Sequence, residues 1–175
     1  MPTHEGSQSK NKMLNHLYRN SATLESNPHP ILYRLGWRAL DKLNDENQNQ
    51  WVVFAFFLYQ LSLRLGFMPN LSSCSQCNNK MTQGRIDNFI GELVCPDCAS
   101  NWSGQIINLM SLEKLTSLHL DELNALAMEK KDVLDSIQFL DIFLSYHVEG
   151  LKKVTSMDMV RNIVNEEKEK YNFSI

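Results

Sequence analysis

Glycine and proline are scarce in this chain, at seven and five of 175 residues. That argues against a turn-rich β fold. Wholesale disorder is not expected either, because 43% hydrophobic residues suffice to build a core. Long apolar runs are missing. The most apolar stretch, Trp51 to Tyr59, is interrupted by Gln60, Ser62 and Arg64 within two turns, whereas a membrane span takes about 20 such residues. It reads as a helix buried in the centre of a domain, in a soluble, cytoplasmic chain that meets no membrane. Charge of one sign does not accumulate: the net charge is −3 and the pI about 5.9. The composition therefore does not announce a nucleic-acid binder, and any basic surface is local. Nothing here resembles a secretory signal. Enzyme signatures are absent as well, with no glycine-rich phosphate loop, no G-x-S-x-G and no H-E-x-x-H. The reading is of a non-enzyme without a small-molecule substrate.

What is present is a pair of cysteine pairs. Cys74-Ser75-Gln76-Cys77 and Cys95-Pro96-Asp97-Cys98 hold all four cysteines of the chain, with seventeen residues between them. The arrangement falls inside the C-x2-C-x15–20-C-x2-C window of zinc sites. Two residues between cysteines let the backbone turn sharply, so both sulfurs face one centre. Two such knuckles across a hairpin supply the tetrahedral, closed shell of a structural Zn2+. A closed shell leaves no position for water or substrate and no spare thiol nucleophile. Disulfides would suit a secreted chain, and a thioredoxin-like redox pair needs a βαβ pattern that is not seen here. These alternatives, and a metal-free remnant of such a site, are weaker.

Along the chain, 1–11 is a polar tail. A short helix follows over Met13 to Leu24, broken by Asn27-Pro28-His29-Pro30. Ile31, Leu32, Leu35, Leu40 and Leu43 predict a helix with one apolar face. A polar connection over Asn44 to Gln50 leads to the apolar helix Trp51 to Leu65, which Gly66 and Pro69 terminate. Short strands of a ribbon-like hairpin are expected between the knuckles. After them come a helix over Ser111 to His119, capped by Ser111, and another over Asp121 to Glu129. A long amphipathic segment from Val133 ends near Gly150. A terminal helix over Ser156 to Lys170 has Met157, Val160, Ile163 and Val164 on one side and Glu166 to Lys170 solvated. The architecture is mainly α: a helical domain in two parts, 12–70 and 101–175, interrupted by a zinc ribbon over 71–100.

Arg34, Arg38 and Lys42 recur every four residues and stack on one helix face. The stripe suits phosphate or an acidic peptide, or it is a solvated face partly neutralised by Asp41. No aromatics interleave with these charges as a stacking platform would require. His4, His16, His29, His119 and His147 stand apart and read as surface, cap or core-edge residues. Near the end of a long helix, a cationic His147 would suit the dipole.

Leu58-Tyr59-Gln60-Leu61-Ser62-Leu63-Arg64-Leu65-Gly66-Phe67-Met68-Pro69-Asn70-Leu71, followed within three residues by the first knuckle, resembles the RecO family of DNA repair proteins. So does Phe143-Leu144-Ser145-Tyr146-His147-Val148-Glu149-Gly150-Leu151-Lys152. The resemblance covers roughly residues 13–160 and reaches only the family's C-terminal helical and zinc-binding portion. Members begin with an OB-fold barrel, for which helix signals starting near Met13 leave no room. The resemblance implies a recombination mediator that acts with RecR and single-stranded DNA-binding protein to promote RecA loading, with DNA contact as a further property. It also implies a docking site on the helical domain for the acidic, Phe-ended tail of single-stranded DNA-binding protein. Arg34, Arg38 and Lys42 are expected to supply some of the positive charge that flanks such a site. A generic zinc-ribbon adaptor is the alternative, and a metalloenzyme would need an exchangeable ligand that four sulfurs do not provide.

Overall fold

The computed structural model describes residues 30–87, 89–102, 106–126, 128–151 and 155–172. The tail, the helix over Met13 to Leu24, the break before Pro30, His4, His16 and His29 lie outside the described residues.

Helix α1, Pro30–Asn44, forms because Leu32, Leu35, Ala39 and Leu43 recur at helical spacing and bury together. Ile31 was expected on this face but is 40% exposed. At 100° per residue it falls at the edge of the stripe, and Leu40 is only half-buried at the other edge.

Helix α2, Gln50–Arg64, is apolar all round and lies at the centre of the core, buried continuously from Val52 to Tyr59. Each such side chain removed from water contributes about 1.5–3 kcal/mol. The Asn49 side chain caps its start, accepting from the amides of Trp51 at 3.1 Å and Val52 at 3.4 Å. Its end is a Schellman turn. Gly66 adopts φ +86°, the Gly66 amide donates to the Leu63 carbonyl at 3.1 Å, and the Phe67 amide to that of Ser62 at 2.9 Å.

A three-stranded antiparallel sheet follows, with β1 (Gln83–Ile86) between β2 (Leu93–Val94) and β3 (Ile106–Asn108). The registers are Arg85 with Val94 and Ile86 with Leu93 on one side, and Gly84 with Ile107 on the other. The β1–β2 hairpin matches the expected ribbon. Strand β3 lies beyond residue 100, and its buried Ile107 ties the sheet to the helices.

Helix α3, Leu109–Thr116, starts two residues before the expected cap. Asn108, not Ser111, is the N-cap, its Oδ1 accepting from the Met110 amide at 3.1 Å. Ser111 is buried within the helix and donates to Asp132. The helix expected over Asp121 to Glu129 is a 3₁₀ turn, Leu120–Ala125. Leu120 and Leu123 reach the core there, and that i, i+3 spacing suits a three-residue repeat.

Helices α4 (Lys130–His147) and α5 (Thr155–Asn172) close the fold, α4 packing along α2 and α5 along α4. Met157, Val160 and Val164 bury as expected, while Ile163 is half-buried. Glu167 and Lys168 are not simply solvated. Lys168 reaches Asp135 at 2.8 Å and Gln138 at 2.7 Å, and Lys130 pairs with Glu167. Further along, Arg161 grips the buried Asp141 through two nitrogens, at 2.7 and 3.1 Å. These polar contacts bracket the apolar strip between α4 and α5.

Gly91 makes a local prediction. It sits in the hairpin turn at φ +70°, and a Cβ there would lie 2.8 Å from Tyr146 on α4. Gly91→Ala is expected to cost roughly 2–4 kcal/mol, combining left-handed strain with overpacking. Gly66→Ala, equally left-handed but with no atom within 4 Å of the added Cβ, loses only the backbone share, about 1–2 kcal/mol. Urea denaturation of the two variants measures the difference, which reports the Tyr146 contact.

Candidate functional site

The two knuckles meet at one end of the β1–β2 hairpin, because the first closes before β1 and the second opens directly after β2. In the first, the Cys74 amide donates to the Asn79 carbonyl at 2.9 Å and the Asn78 amide to that of Cys74 at 2.9 Å. Asn78 takes φ +59° to complete the turn, a conformation asparagine tolerates better than most residues. The Ser75 amide donates to the Leu93 carbonyl at 3.0 Å, fastening this knuckle to β2. In the second, the Ala99 amide donates to the Cys95 carbonyl and that of Trp102 to the Ala99 carbonyl, both at 3.0 Å. Cys74, Val94, Cys95 and Ala99 form a small buried cluster of their own, against Met81, Cys98 and Trp102. Arg85 braces this cluster by donating to the Trp102 carbonyl at 2.9 Å.

The sulfurs of Cys74, Cys77, Cys95 and Cys98 lie within 4.8 Å of one another. All four cysteines are free, and the Cys77 and Cys95 sulfurs are 3.8 Å apart, far longer than a disulfide bond. A tetrahedron of sulfurs at about 2.3 Å from a central ion has edges of about 3.8 Å. The donor set therefore fits a metal ion. Electrostatics point the same way. Burial pushes the Cys74 thiol up, but amide donors from Cys95, Cys77 and Gln76 and the Cys77 thiol outweigh it and bring it down to about 6. Cys98, crowded by the Cys95 and Cys77 sulfurs and partly shielded from water, is pushed up to about 12. Four sulfurs this close resist carrying four negative charges together, and a divalent cation removes that penalty.

A second feature lies on the helical side. Ile31, Arg34, Leu35, Arg38, Phe56, Gln60, Arg64, Leu118, His119 and Leu120 line a groove of about 380 Å³. Helix α1 supplies one wall, α2 the floor, and the chain between α3 and the 3₁₀ turn the other wall. Arg34 and Arg38 of the basic stripe line this groove. Lys42 does not; its Nζ reaches Asp121 at 3.1 Å, as Arg38 does at 3.3 Å. Asp41, the expected neutralising partner, makes no ion pair among the described residues. Arg64 lines the groove from α2 and was missed in the sequence, because it lies on a different helix from the stripe. Tyr33 and Trp37, each next to a stripe arginine in sequence, are more than half exposed and meet edge to face at 6.2 Å. The expectation of no interleaved aromatics is overturned, and their i, i+4 spacing was the available signal.

Of the described histidines, His119 lines the groove and His147 lies outside both features. His147 stacks on Phe67 at 5.0 Å and meets Phe143 at a tilt at 4.3 Å, with no hydrogen-bond partner at Nε2. It occupies an aromatic slot at the last residue of α4, the helix end where the sequence placed it. The His119 amide donates to Glu122 at 2.9 Å, opening the 3₁₀ turn.

Residues 14–156, a span that holds both the sulfur cluster and the groove, match the family model described as Recombination protein O C terminal. The chain belongs to that family. A comparison with curated proteins gave no match. Membership in the Recombination protein O C-terminal family places the chain in DNA repair and recombination. It agrees with a mainly helical fold carrying a cysteine cluster on a small sheet. Among the described residues there is no OB-fold barrel, and no helix is long and apolar enough to cross a membrane.

Proposed function

We propose that this chain is a non-enzymatic recombination-mediator module. It holds a structural Zn2+ through Cys74, Cys77, Cys95 and Cys98. It docks the acidic, Phe-ended tail of single-stranded DNA-binding protein and works with a RecR-like partner toward RecA loading. Zinc supplies a closed four-sulfur anchor that keeps the knuckles and their hairpin folded, and no reaction step is assigned to it.

The observation that carries the docking role is the groove. Its apolar surface comes from Leu35, Phe56, Leu118 and Leu120, and three arginines from two helices stand around it. Such a site takes an apolar side chain whose neighbouring carboxylates meet guanidinium groups, the chemistry of an acidic peptide ending in phenylalanine. Lys42, outside the lining, pairs with the Asp121 carboxylate that also meets Arg38.

A fluorescent peptide of four aspartates, leucine and a C-terminal phenylalanine tests this by anisotropy. Reversing Arg34, Arg38 and Arg64 together to glutamate is expected to weaken binding about ten-fold or more, with the circular dichroism spectrum unchanged. Equal binding by both proteins would rule the groove out as the docking site. Failure to capture either a RecR-like protein or single-stranded DNA-binding protein would favour the generic zinc-ribbon adaptor.

A further inference from the structure

We infer that Asp121 is an internal competitor for the groove cation Arg38, which an incoming acidic ligand displaces. The inference rests on the groove reading above and concerns how that site is regulated.

Of the arginines lining the groove, only Arg38 is engaged by a carboxylate among the described residues. Its Nη2 lies 3.3 Å from Asp121 Oδ2, while Lys42 Nζ lies 3.1 Å from Asp121 Oδ1. One carboxylate thus spends one oxygen on each of two cations. Its position makes it a stand-in for a ligand. Asp121 follows Leu120 and His119, which line the groove, and it bridges from that wall to the helix carrying Arg34 and Arg38. Arg64, by contrast, has only a weak 3.5 Å contact with Gln60, and Arg34 makes no ion pair among the described residues.

Exposure says that the bridge can open. The Asp121 side chain is 69% exposed and that of Arg38 62%. Breaking their contact uncovers no core, and water resolvates both groups. A ligand carboxylate at Arg38 must therefore exchange with Asp121 rather than add to it. The cost is that of a surface ion pair, small enough for a multivalent acidic peptide to overcome and large enough to disfavour ligands with a single charge.

The test uses the full chain and the same peptide. Asp121→Asn keeps the side chain's size and removes its charge. Binding is expected to tighten about two- to five-fold at low salt, the range an exposed pair supports. The gain is expected to fade at about 0.5 M salt, where exposed charges are screened. Adding Arg38→Gln to the Asp121→Asn variant is expected to abolish the gain. The Tm of the single variant is expected to move by no more than a few degrees, as for a surface substitution.

If Asp121 merely tethers the 3₁₀ turn, the variant binds the peptide equally or more weakly. Either result overturns the inference while leaving the groove reading in place. If neither the parent chain nor the variant binds the peptide, the groove reading falls and the inference falls with it.

Discussion

Cys77→Ser is expected to release the metal, unfold the knuckles and loosen the three-stranded sheet, although Cys77 is an exposed residue. That contrast makes the variant informative. An exposed side chain with no special role changes stability by about 0.5 kcal/mol or less when replaced. A thiolate in a structural zinc shell carries a share of an apparent binding free energy on the order of 10–16 kcal/mol. The expected loss exceeds the roughly 2–5 kcal/mol of a buried leucine truncation. The sulfur cluster has few alternatives to fall back on, since among the described residues Val94 and Ala99 are the only other buried members of its small core. Chelator treatment of the parent chain is expected to reproduce the change, and elemental analysis should find one zinc per chain, lost in the variant. Zinc added back near neutral pH should release protons. The Asn79 amide lowers Cys77, but burial and the Cys74 sulfur outweigh it and hold this thiol above its ordinary range, while Cys98 lies at about 12. An unchanged melting profile after Cys77→Ser would remove the zinc anchor.

The second large effect is expected at Arg161. Its guanidinium holds both oxygens of the buried Asp141, at 2.7 and 3.1 Å, and also reaches Asp158 and Ser145. Burial pushes the Asp141 carboxyl up, and Arg161 works against that push. Arg161→Leu leaves the carboxylate inside the protein without its cation. The expected loss at pH 7.5 is about 2–4 kcal/mol, somewhat under the range for a fully buried pair because Arg161 is partly exposed. The pH dependence follows from the sign of the shift. A carboxyl raised further in the folded variant is tolerated when protonated. The deficit should therefore be smallest near or below its unfolded value of about 3.9 and grow as pH rises through the raised folded value. Adding Asp141→Asn should recover most of the loss. Urea titrations from pH 4 to 8 measure both effects, and a deficit independent of pH would mean that lost packing, not charge, is the cause.

These two sites differ in how far they could be read from the chain. The cysteine cluster was legible, because C-x2-C spacing encodes a local turn and the hairpin between the knuckles is short. The end of α2 was legible for the same reason: Gly66 serves a backbone conformation settled within five residues. Asn108 was harder. Ser111 is an equally good capping residue, and the choice depended on Asp132, on another helix, offering Ser111 a partner. Strand β3 was invisible because three residues carry too little periodicity to register alone. The Arg161–Asp141 clasp joins positions 20 apart in sequence, and the Arg38–Asp121 contact positions 83 apart. Arg64 became part of the groove only through the packing of α2 against α1. Local backbone chemistry was readable from residue types, whereas pairings across helices needed the fold.

Strand β3 has a practical corollary for anyone wishing to excise the cysteine-rich segment as a peptide. Cutting at residue 100 would strip β1 of its hydrogen-bonded neighbour over Gln83, Gly84 and Arg85. An open strand edge recruits other open edges. Such a peptide is therefore expected to self-associate even with zinc bound, while one extended through Asn108 keeps its edge covered.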